Sequence, residues 1–257
     1  MKVVLLLGVC ACTSFGPMPT TTGLSAVPTG RPGGEIQGAL IPSFRLSDAA
    51  SGNDRNNQQF PQLAALFEPD RWLKAPGLAL GGRVWGKKAD VGVEPLVGYR
   101  TRLGGRISIA GMGFGTRLSS ERYGAKYAAT RIGGELAVDA MVWAPLTWLS
   151  IHTQAAVAAT YVSATGHYCI DDVGNGIDCS EAGPNTFVDG YLQGVYPAVT
   201  ATLALDVTPA ASWFHSARIA LMGAAGHMPR VIAGHQQWGD RYATLGVALA
   251  LGFGAPE

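Results

Sequence analysis

Large apolar residues alternate with small or polar ones along most of the chain. In the segment RIGGELAVDAMV at 131–142, Ile132 and Leu136 lie on one face of an extended chain, whereas Arg131 and Glu135 lie on the other. A period of two is typical of a strand, because successive strand side chains point to opposite faces. The pattern therefore predicts β-strands and no amphipathic helices over this part of the chain.

Eight segments carry this alternation. They cover about 76–86, 91–102, 105–118, 126–143, 147–165, 186–207, 214–228 and 240–254. Short connections, such as APLT at 144–147, alternate with longer ones, such as 166–185. An even number of antiparallel strands with short turns at one end and longer loops at the other predicts an all-β, antiparallel, up-and-down transmembrane β-barrel of about eight strands. A further strand at 33–44 and another from the irregular segment after it make ten strands the alternative.

The two faces of these strands indicate which side meets lipid. One row of the last strand carries Leu249 and Leu251, and the other carries Ala248, Ala250 and Gly252. Gly and Ala are poor strand formers, so an outer surface built from them contributes little in water. Inside a narrow barrel they fit, because the lumen is only wide enough for side chains to fill it. We therefore expect the large apolar rows to face hydrocarbon.

The few charged residues on the strands fall in the rows assigned to the lumen. They are Arg83, Glu94, Arg100, Arg131, Glu135, Asp139 and Arg218. Both signs are present, so the sequence predicts a lumen charge network of ion pairs. Loss of one partner of a buried pair is strongly destabilising. The alternative is that several of these charges lie at the barrel rims in water.

Composition excludes several classes of protein. Charged residues make up 14% of the chain, and the formal net charge is +1. So low a charge fraction excludes a disordered chain, and so small a net charge excludes a general nucleic-acid binder. No apolar run reaches the roughly 18 residues of a spanning helix. A membrane protein of this sequence therefore has to cross the bilayer with strands.

The first residues indicate export and fix the predicted domain boundaries. Lys2 precedes a short apolar run, which is typical of a secretory signal peptide at 1–11. A flexible linker rich in Thr, Pro and Gly follows at 12–34, then an irregular extramembrane segment at 35–75, and the barrel at 76–254. The run VCAC at 9–12 resembles the bacterial lipobox. That resemblance implies lipidation of Cys12, and an ordinary cleaved signal peptide is the alternative.

Two cysteines remain for the mature chain. Cys169 and Cys179 lie in one predicted loop, and in an oxidising compartment such a pair is most simply a disulfide. A zinc site is the rival, but no second pair of Cys or His has zinc-ligand spacing. We therefore predict a disulfide and no metal site.

The alternating strands and the closing sequence YATLGVALALGF resemble the small outer-membrane β-barrel proteins, the class of outer-membrane-protein-A-like and X-like barrels. The resemblance covers about 76–254 and is one of pattern. It implies insertion in the outer membrane of a Gram-negative bacterium, with outer-membrane lipid and the barrel insertion machinery as partners. In that class the final strand ends in an aromatic residue that the machinery reads, and Phe253 takes that place.

The sequence predicts a structural role or loop-mediated binding, with no catalysis and no cofactor. The acidic loop at 166–185 offers oxygen ligands, but its spacing matches no EF-hand. The alternative function is a lipid-modifying hydrolase or acyltransferase that uses a His, Ser and carboxylate group on the lumen face. For that group, His152 shares a face with Ser150 and has Asp139 or Glu135 on the neighbouring strand.

Overall fold

A computed structural model describes residues 24, 26, 27, 33–45, 58–69, 74–87, 90–122, 125–169, 187–209, 213–228 and 240–254. Within these residues the chain forms ten strands. They are β1 (Gly33–Arg45), β2 (Gln58–Glu68), β3 (Leu78–Lys87), β4 (Asp90–Leu103), β5 (Ile107–Arg122), β6 (Ala125–Leu146), β7 (Leu149–Cys169), β8 (Phe187–Val207), β9 (Phe214–Met228) and β10 (Asp240–Gly254). Among the described residues there is no helix of the length and apolarity that crossing a membrane requires.

The ten strands close into one antiparallel barrel. Each strand pairs with its neighbours in chain order, and β1 pairs with β10 to complete the cylinder, with Ile36 opposite Leu251. The barrel therefore has two distinct ends. The turn end holds Gly33, Gly254 and short connections such as 104–106 and 147–148, and the loop end holds connections such as 170–186.

The strand count corrects the first expectation of eight and agrees with the alternative of ten. The two additional strands are β2 and β1, and apart from Gly33 and Gly34 of β1 they lie in the segment 35–75 that the sequence assigned to an irregular region outside the barrel. In β2, Leu63 points outward and Leu66 points into the lumen. Apolar residues on both faces weaken the period-two signal, and Pro61 within the strand weakens it further. The sequence pattern was therefore least informative here.

The turn between β6 and β7 also differs from the expectation. The break was predicted at 144–147, but β6 continues to Leu146 and the turn lies at 147–148. The pairing of β6 with β7 shifts register on both sides of Trp143. Such bulges interrupt the ladder of hydrogen bonds and so tolerate Pro145, which has no backbone N–H.

Large apolar side chains cover the outside of the barrel. Every strand contributes at least one: Ile36, Leu63, Leu80, Val97, Ile107, Leu136, Val157, Val199, Ile219 and Val247 are all exposed. Among the described residues the exposed charged side chains are Lys74, Arg102, Arg106 and Arg117, which lie at or near strand ends. The predicted inversion, with apolar residues outside and small or charged residues inside, is therefore what the structure has.

Glycines give the lumen room for its few large rings. A Cβ atom added at Gly133 would lie 2.5 Å from the ring of Phe114, and one added at Gly92 would collide with the indole of Trp85. Both rings point inward and are buried. The high glycine content thus has a packing reason at these positions, since any larger side chain would displace an aromatic ring.

Candidate functional site: the barrel lumen

The structure places all seven predicted lumen charges inside the barrel. Arg83, Glu94, Arg100, Arg131, Glu135, Asp139 and Arg218 are buried. Their row on each strand is the one that the alternation assigned to the lumen. Six of them take part in ion pairs with charged residues of other strands, and these pairs form three groups along the barrel.

The first group, the mid-lumen cluster, consists of Arg83, Glu94 and Arg131. Arg83 Nε donates to Glu94 Oε1 at 2.6 Å, and Arg131 Nε lies 3.3 Å from Glu94 Oε2. Both guanidinium groups also lie over the ring of Phe114, at 5.6 Å for Arg83 and 4.9 Å for Arg131. The single carboxylate and the aromatic face thus both stabilise the two cations, because a cation is attracted to the face of a ring.

The second group joins Arg100 to two carboxylates. Arg100 Nε donates to Glu68 Oε1 at 2.8 Å, and its Nη1 donates to Glu35 Oε2 at 3.2 Å. The sequence predicted Arg100 but missed both partners, because they lie on β1 and β2, in the segment placed outside the barrel. Their positions in the alternation were a usable signal, because each lies in the row of its own strand that faces the lumen.

The third group, the turn-end cluster, consists of Asp139, His152, Asp206 and Arg218. His152 Nδ1 lies 2.6 Å from Asp139 Oδ1. Arg218 donates to both oxygens of Asp206 at 2.5 Å, and its Nη1 lies 3.6 Å from Asp139 Oδ2. These side chains come from β6, β7, β8 and β9, so the cluster links four consecutive strands at the turn end.

Ser150 joins the turn-end cluster through a hydrogen bond. Its Oγ lies 3.0 Å from His152 Nε2, on the side of the ring opposite Asp139. The two residues are two positions apart on β7, so both side chains point into the lumen. Of the two carboxylates considered for this site, the structure pairs Asp139 with His152. The arrangement of serine, imidazole and carboxylate is the one that activates a hydroxyl as a nucleophile.

A cavity of about 300 Å³ opens beside Ser150 at the turn end. Its lining includes Ser150, His152, Asp206, Arg218 and His215. His215 precedes Ser216 on β9, and neighbours on a regular strand face opposite ways. The pairing of β9 with β10 shifts register next to these residues, and His215 is buried. The alternation of residues along the sequence does not reveal that shift.

A short stretch of chain before the first strand lies within the barrel. Leu24 and Ala26 are buried, and Gln154 holds both: its Nε2 donates to the Leu24 carbonyl at 2.8 Å, and its Oε1 accepts from the Ala26 amide at 2.9 Å. Leu24 packs in one cluster with Phe114, and Val27 lines the turn-end cavity. These positions fall within the predicted linker 12–34, and they separate the mid-lumen cluster from the cavity.

Several predicted features lie outside the described residues. These are the signal peptide at 1–11, Cys12, Cys179 and residues 170–185 of the acidic loop predicted at 166–185. Residues 166–169 belong to β7, and of Cys169 the structure describes the backbone and not the side chain. Phe253 is described, and its ring stacks on Trp213 at the turn end with 6.0 Å between centroids. Among the described residues no group of three or more His, Cys, Asp or Glu has an arrangement that could hold a metal ion.

No known protein family matches this chain, and no curated protein matches it. Among solved structures it is similar to Ail, the attachment invasion locus protein of Yersinia pestis, with 8% identity, a TM-score of 0.35, and coverage of 87% of this chain and 99% of that one. It is also similar to Neisserial surface protein A, with 6% identity, a TM-score of 0.31, and coverage of 86% and 98%. The KdgM porin in complex with disordered oligogalacturonate has 11% identity, a TM-score of 0.34, and coverage of 84% and 98%.

Proposed function

We propose that the chain is an integral β-barrel of a Gram-negative outer membrane, with a structural or loop-mediated binding role. The observation that carries the proposal is the exposed apolar surface contributed by all ten strands. Soluble monomers rarely expose apolar patches larger than a few hundred Å². A continuous apolar wall around a charged lumen is instead the arrangement that lipid requires.

The spacing of exposed aromatic residues supports a membrane-spanning depth. Trp148 lies at the turn end of β7 and Tyr161 lies about 13 residues further along the strand; both are exposed. That interval is roughly 43 Å of extended chain, or about 33 Å along the membrane normal for a strand tilted by about 40°. The hydrocarbon core of a bilayer is about 30 Å thick, and Trp and Tyr favour its two boundaries.

The longest connection, 170–186, supports one orientation, although the same end also holds the short connections 88–89 and 123–124. In barrels of bacterial outer membranes the short turns are periplasmic and the longer loops are extracellular. The turn end would then lie in the periplasm, and the loop 170–186 would be available to a ligand outside the cell. The stacked rings of Phe253 and Trp213 would be at the periplasmic edge, where the insertion machinery meets the final strand.

The middle of the lumen is filled, which favours a binding or structural role over a wide channel. A barrel of ten strands is wider than one of eight. Here the additional space holds the mid-lumen cluster, the inward-pointing rings of Trp85 and Phe114, and the buried residues Leu24 and Ala26. We therefore expect low conductance from the purified protein in a planar bilayer.

A pair of arginine substitutions tests the location. Val199 is exposed near the middle of β8, and Thr208 is exposed at the turn end. In a membrane, Val199→Arg should lower the free energy of unfolding by about 2–4 kcal/mol, because a cation at the bilayer midplane is poorly solvated. Thr208→Arg should have little effect, since it lies near water. In a soluble barrel both changes are on a wet surface and both are mild.

The measurement is urea unfolding of the protein refolded in lipid vesicles, with heat-dependent gel mobility as the sign of a folded barrel. Equal stability of the Val199→Arg and Thr208→Arg variants would contradict the membrane location. So would recovery of the parent protein, folded and monodisperse, from a periplasmic extract without detergent.

A further inference from the structure

We propose that Ser150 is the nucleophile of an ester hydrolase at the turn end of the lumen, with His152 as its base and Asp139 as a positioning residue. The substrate class is short-chain carboxylic esters of water-soluble alcohols. The proposal goes beyond a structural or binding role and rests on the barrel fold. It does not depend on which ligand the outer loops bind.

The hydrogen-bond geometry has the direction that nucleophile activation needs. His152 Nε2 lies 3.0 Å from Ser150 Oγ, and His152 Nδ1 lies 2.6 Å from Asp139 Oδ1. Asp139 thereby holds the proton on Nδ1, so that Nε2 is left to accept the serine proton. All three side chains come from the paired strands β6 and β7, where Asp139 is opposite Gln154 and Met141 is opposite His152. Rigid strands therefore fix their separation.

Asp206 and Arg218 set the charge around the imidazole. Asp206 Oδ2 lies 3.6 Å from His152 Nε2, further than Ser150 Oγ, and Arg218 binds both oxygens of Asp206. Because Arg218 holds this carboxylate, the serine hydroxyl is the nearer partner of Nε2. Once His152 has accepted the serine proton, its positive charge lies between two carboxylates. Charge that develops during the reaction is thus stabilised by groups already in place.

The position of the cavity selects the substrate class. The cavity beside Ser150 measures about 300 Å³, at the small end of the range for ligand pockets. It lies in the lumen, so the barrel wall separates it from lipid acyl chains. Its lining also includes Arg106 and Thr147, both exposed at the turn end, so it is reached from the aqueous phase on that side. A short acyl group fits these constraints, and a long lipid chain does not.

The reaction balances with water as the only co-reactant. Ser150 Oγ forms a bond to the acyl carbon as its proton passes to His152 Nε2. The ester C–O bond then breaks, and the leaving alcohol takes that proton. Water attacks the acyl carbon in the second half, giving a proton to Nε2, and the acyl bond to Oγ breaks. The products are a carboxylic acid and an alcohol, and Ser150 Oγ recovers its proton.

A serine-reactive fluorophosphonate probe tests the nucleophile directly, because an activated serine displaces its fluoride and keeps the phosphonate. The probe is applied to full-length protein refolded in detergent, and peptide mass spectrometry locates the label. We expect label on Ser150 and slow hydrolysis of p-nitrophenyl acetate, with p-nitrophenyl palmitate turned over poorly. Ser163 is on the same strand as Ser150 but lies away from the cavity, so Ser163→Ala is the matched control and should label normally.

Two further variants separate the roles. His152→Ala should slow labelling of Ser150 by at least about 100-fold, the usual contribution of a general base. Asp139→Asn keeps the shape of the side chain but not its charge, and it should lower kcat for p-nitrophenyl acetate while KM changes little. A purely structural role for Asp139 would leave kcat unchanged as long as the barrel folds.

Heat-dependent gel mobility is recorded for every variant, so that loss of folding is not mistaken for loss of chemistry. Absence of label on Ser150 in folded parent protein, or label that persists at the same rate in folded His152→Ala, would overturn the hydrolase. Neither result would affect the proposed barrel, because the mobility shift reports that fold independently.

Discussion

The mid-lumen and turn-end clusters both pair arginine with carboxylates in the same lumen but differ in their access to water. In the mid-lumen cluster, Arg83, Glu94 and Arg131 have side chains that are 0% exposed. In the turn-end cluster, the side chains of His152 and Asp206 are 11% and 12% exposed and line a cavity. The first group is enclosed by aromatic rings, and the second is adjacent to an aqueous opening.

Because of this difference in access to water, the mid-lumen cluster has a packing role and the turn-end cluster can have a chemical one. Charges enclosed on all sides must be neutralised by their neighbours, since burial of an unpaired ion costs several kcal/mol. Charges beside a cavity can exchange protons with water or a substrate, and a hydroxyl next to them can reach a ligand. The turn-end cluster also contains a histidine, His152, that lies between a serine and a carboxylate. Residues 24, 26 and 27 lie between the two environments.

The largest expected effect is the loss of Glu94. Glu94→Ala removes the carboxylate that both Arg83 and Arg131 contact and leaves two buried cations without it. We expect the free energy of unfolding to fall by about 3–5 kcal/mol. Asp206→Ala should cost less, because water can enter the adjoining cavity and solvate Arg218. Urea unfolding in lipid vesicles measures both. If both variants lost the same free energy of unfolding, the proposed difference in water access between the two clusters would be wrong.

The sequence predicted the lumen face of the strands better than it predicted their number. On β6, the alternation of Arg131, Glu135 and Asp139 with apolar residues is regular, and the structure buries all three. On β2 the alternation is interrupted, so the two additional strands entered only the alternative of ten, and the partners of Arg100 were missed. Pairing between strands far apart in sequence closes the barrel, and a single strand's pattern carries no information about it.

The candidate site was predicted only in part, for similar reasons. Ser150, His152 and Asp139 were predicted to form one group because each lies in the lumen row of its strand and because β6 and β7 are consecutive in the chain. Asp206 has the same parity as Ala204 on β8 and could have been included on that basis. His215 could not, because a register shift between β9 and β10 turns it inward. The contact of Leu24 with the lumen also has no signal in a stretch of Thr, Pro and Gly.

A second prediction concerns the aromatic packing of the mid-lumen cluster. Gly133→Val places a branched side chain where even a Cβ atom would lie 2.5 Å from the ring of Phe114. Displacing this ring also moves the surface under the guanidinium of Arg131. We expect a loss of about 1–3 kcal/mol of unfolding free energy, as for other overpacked cores.

The matched control for Gly133→Val is Gly111→Val. Gly111 is on β5, and a Cβ atom there would meet nothing within 4 Å. It should change stability by less than about 1 kcal/mol, within the range of a tolerated surface change. The same unfolding assay in vesicles compares the two variants. An equal effect of both would mean that strand propensity, and not the ring of Phe114, explains the loss.

The third prediction concerns the residues that separate the two clusters. Gln154→Ala removes the two hydrogen bonds to the backbone of Leu24 and Ala26. We expect a loss of about 1–3 kcal/mol of unfolding free energy, since buried backbone groups lose their partner. We also expect higher ion conductance in planar bilayers, because the segment is held less firmly in the lumen. Gln193→Ala, which removes an exposed hydrogen bond to Tyr161, is the control and should leave conductance unchanged.

The smallest expected effect on stability is that of Ser150→Ala. The serine is only partly buried and lies beside the cavity, so water can replace its hydroxyl as the partner of His152 Nε2. We expect less than about 1 kcal/mol in the unfolding assay, within the range of ordinary surface substitutions. The same variant should abolish labelling by the fluorophosphonate probe. A large loss of stability would instead place Ser150 with the enclosed residues of the lumen, where a hydroxyl serves the packing and has no access to a substrate.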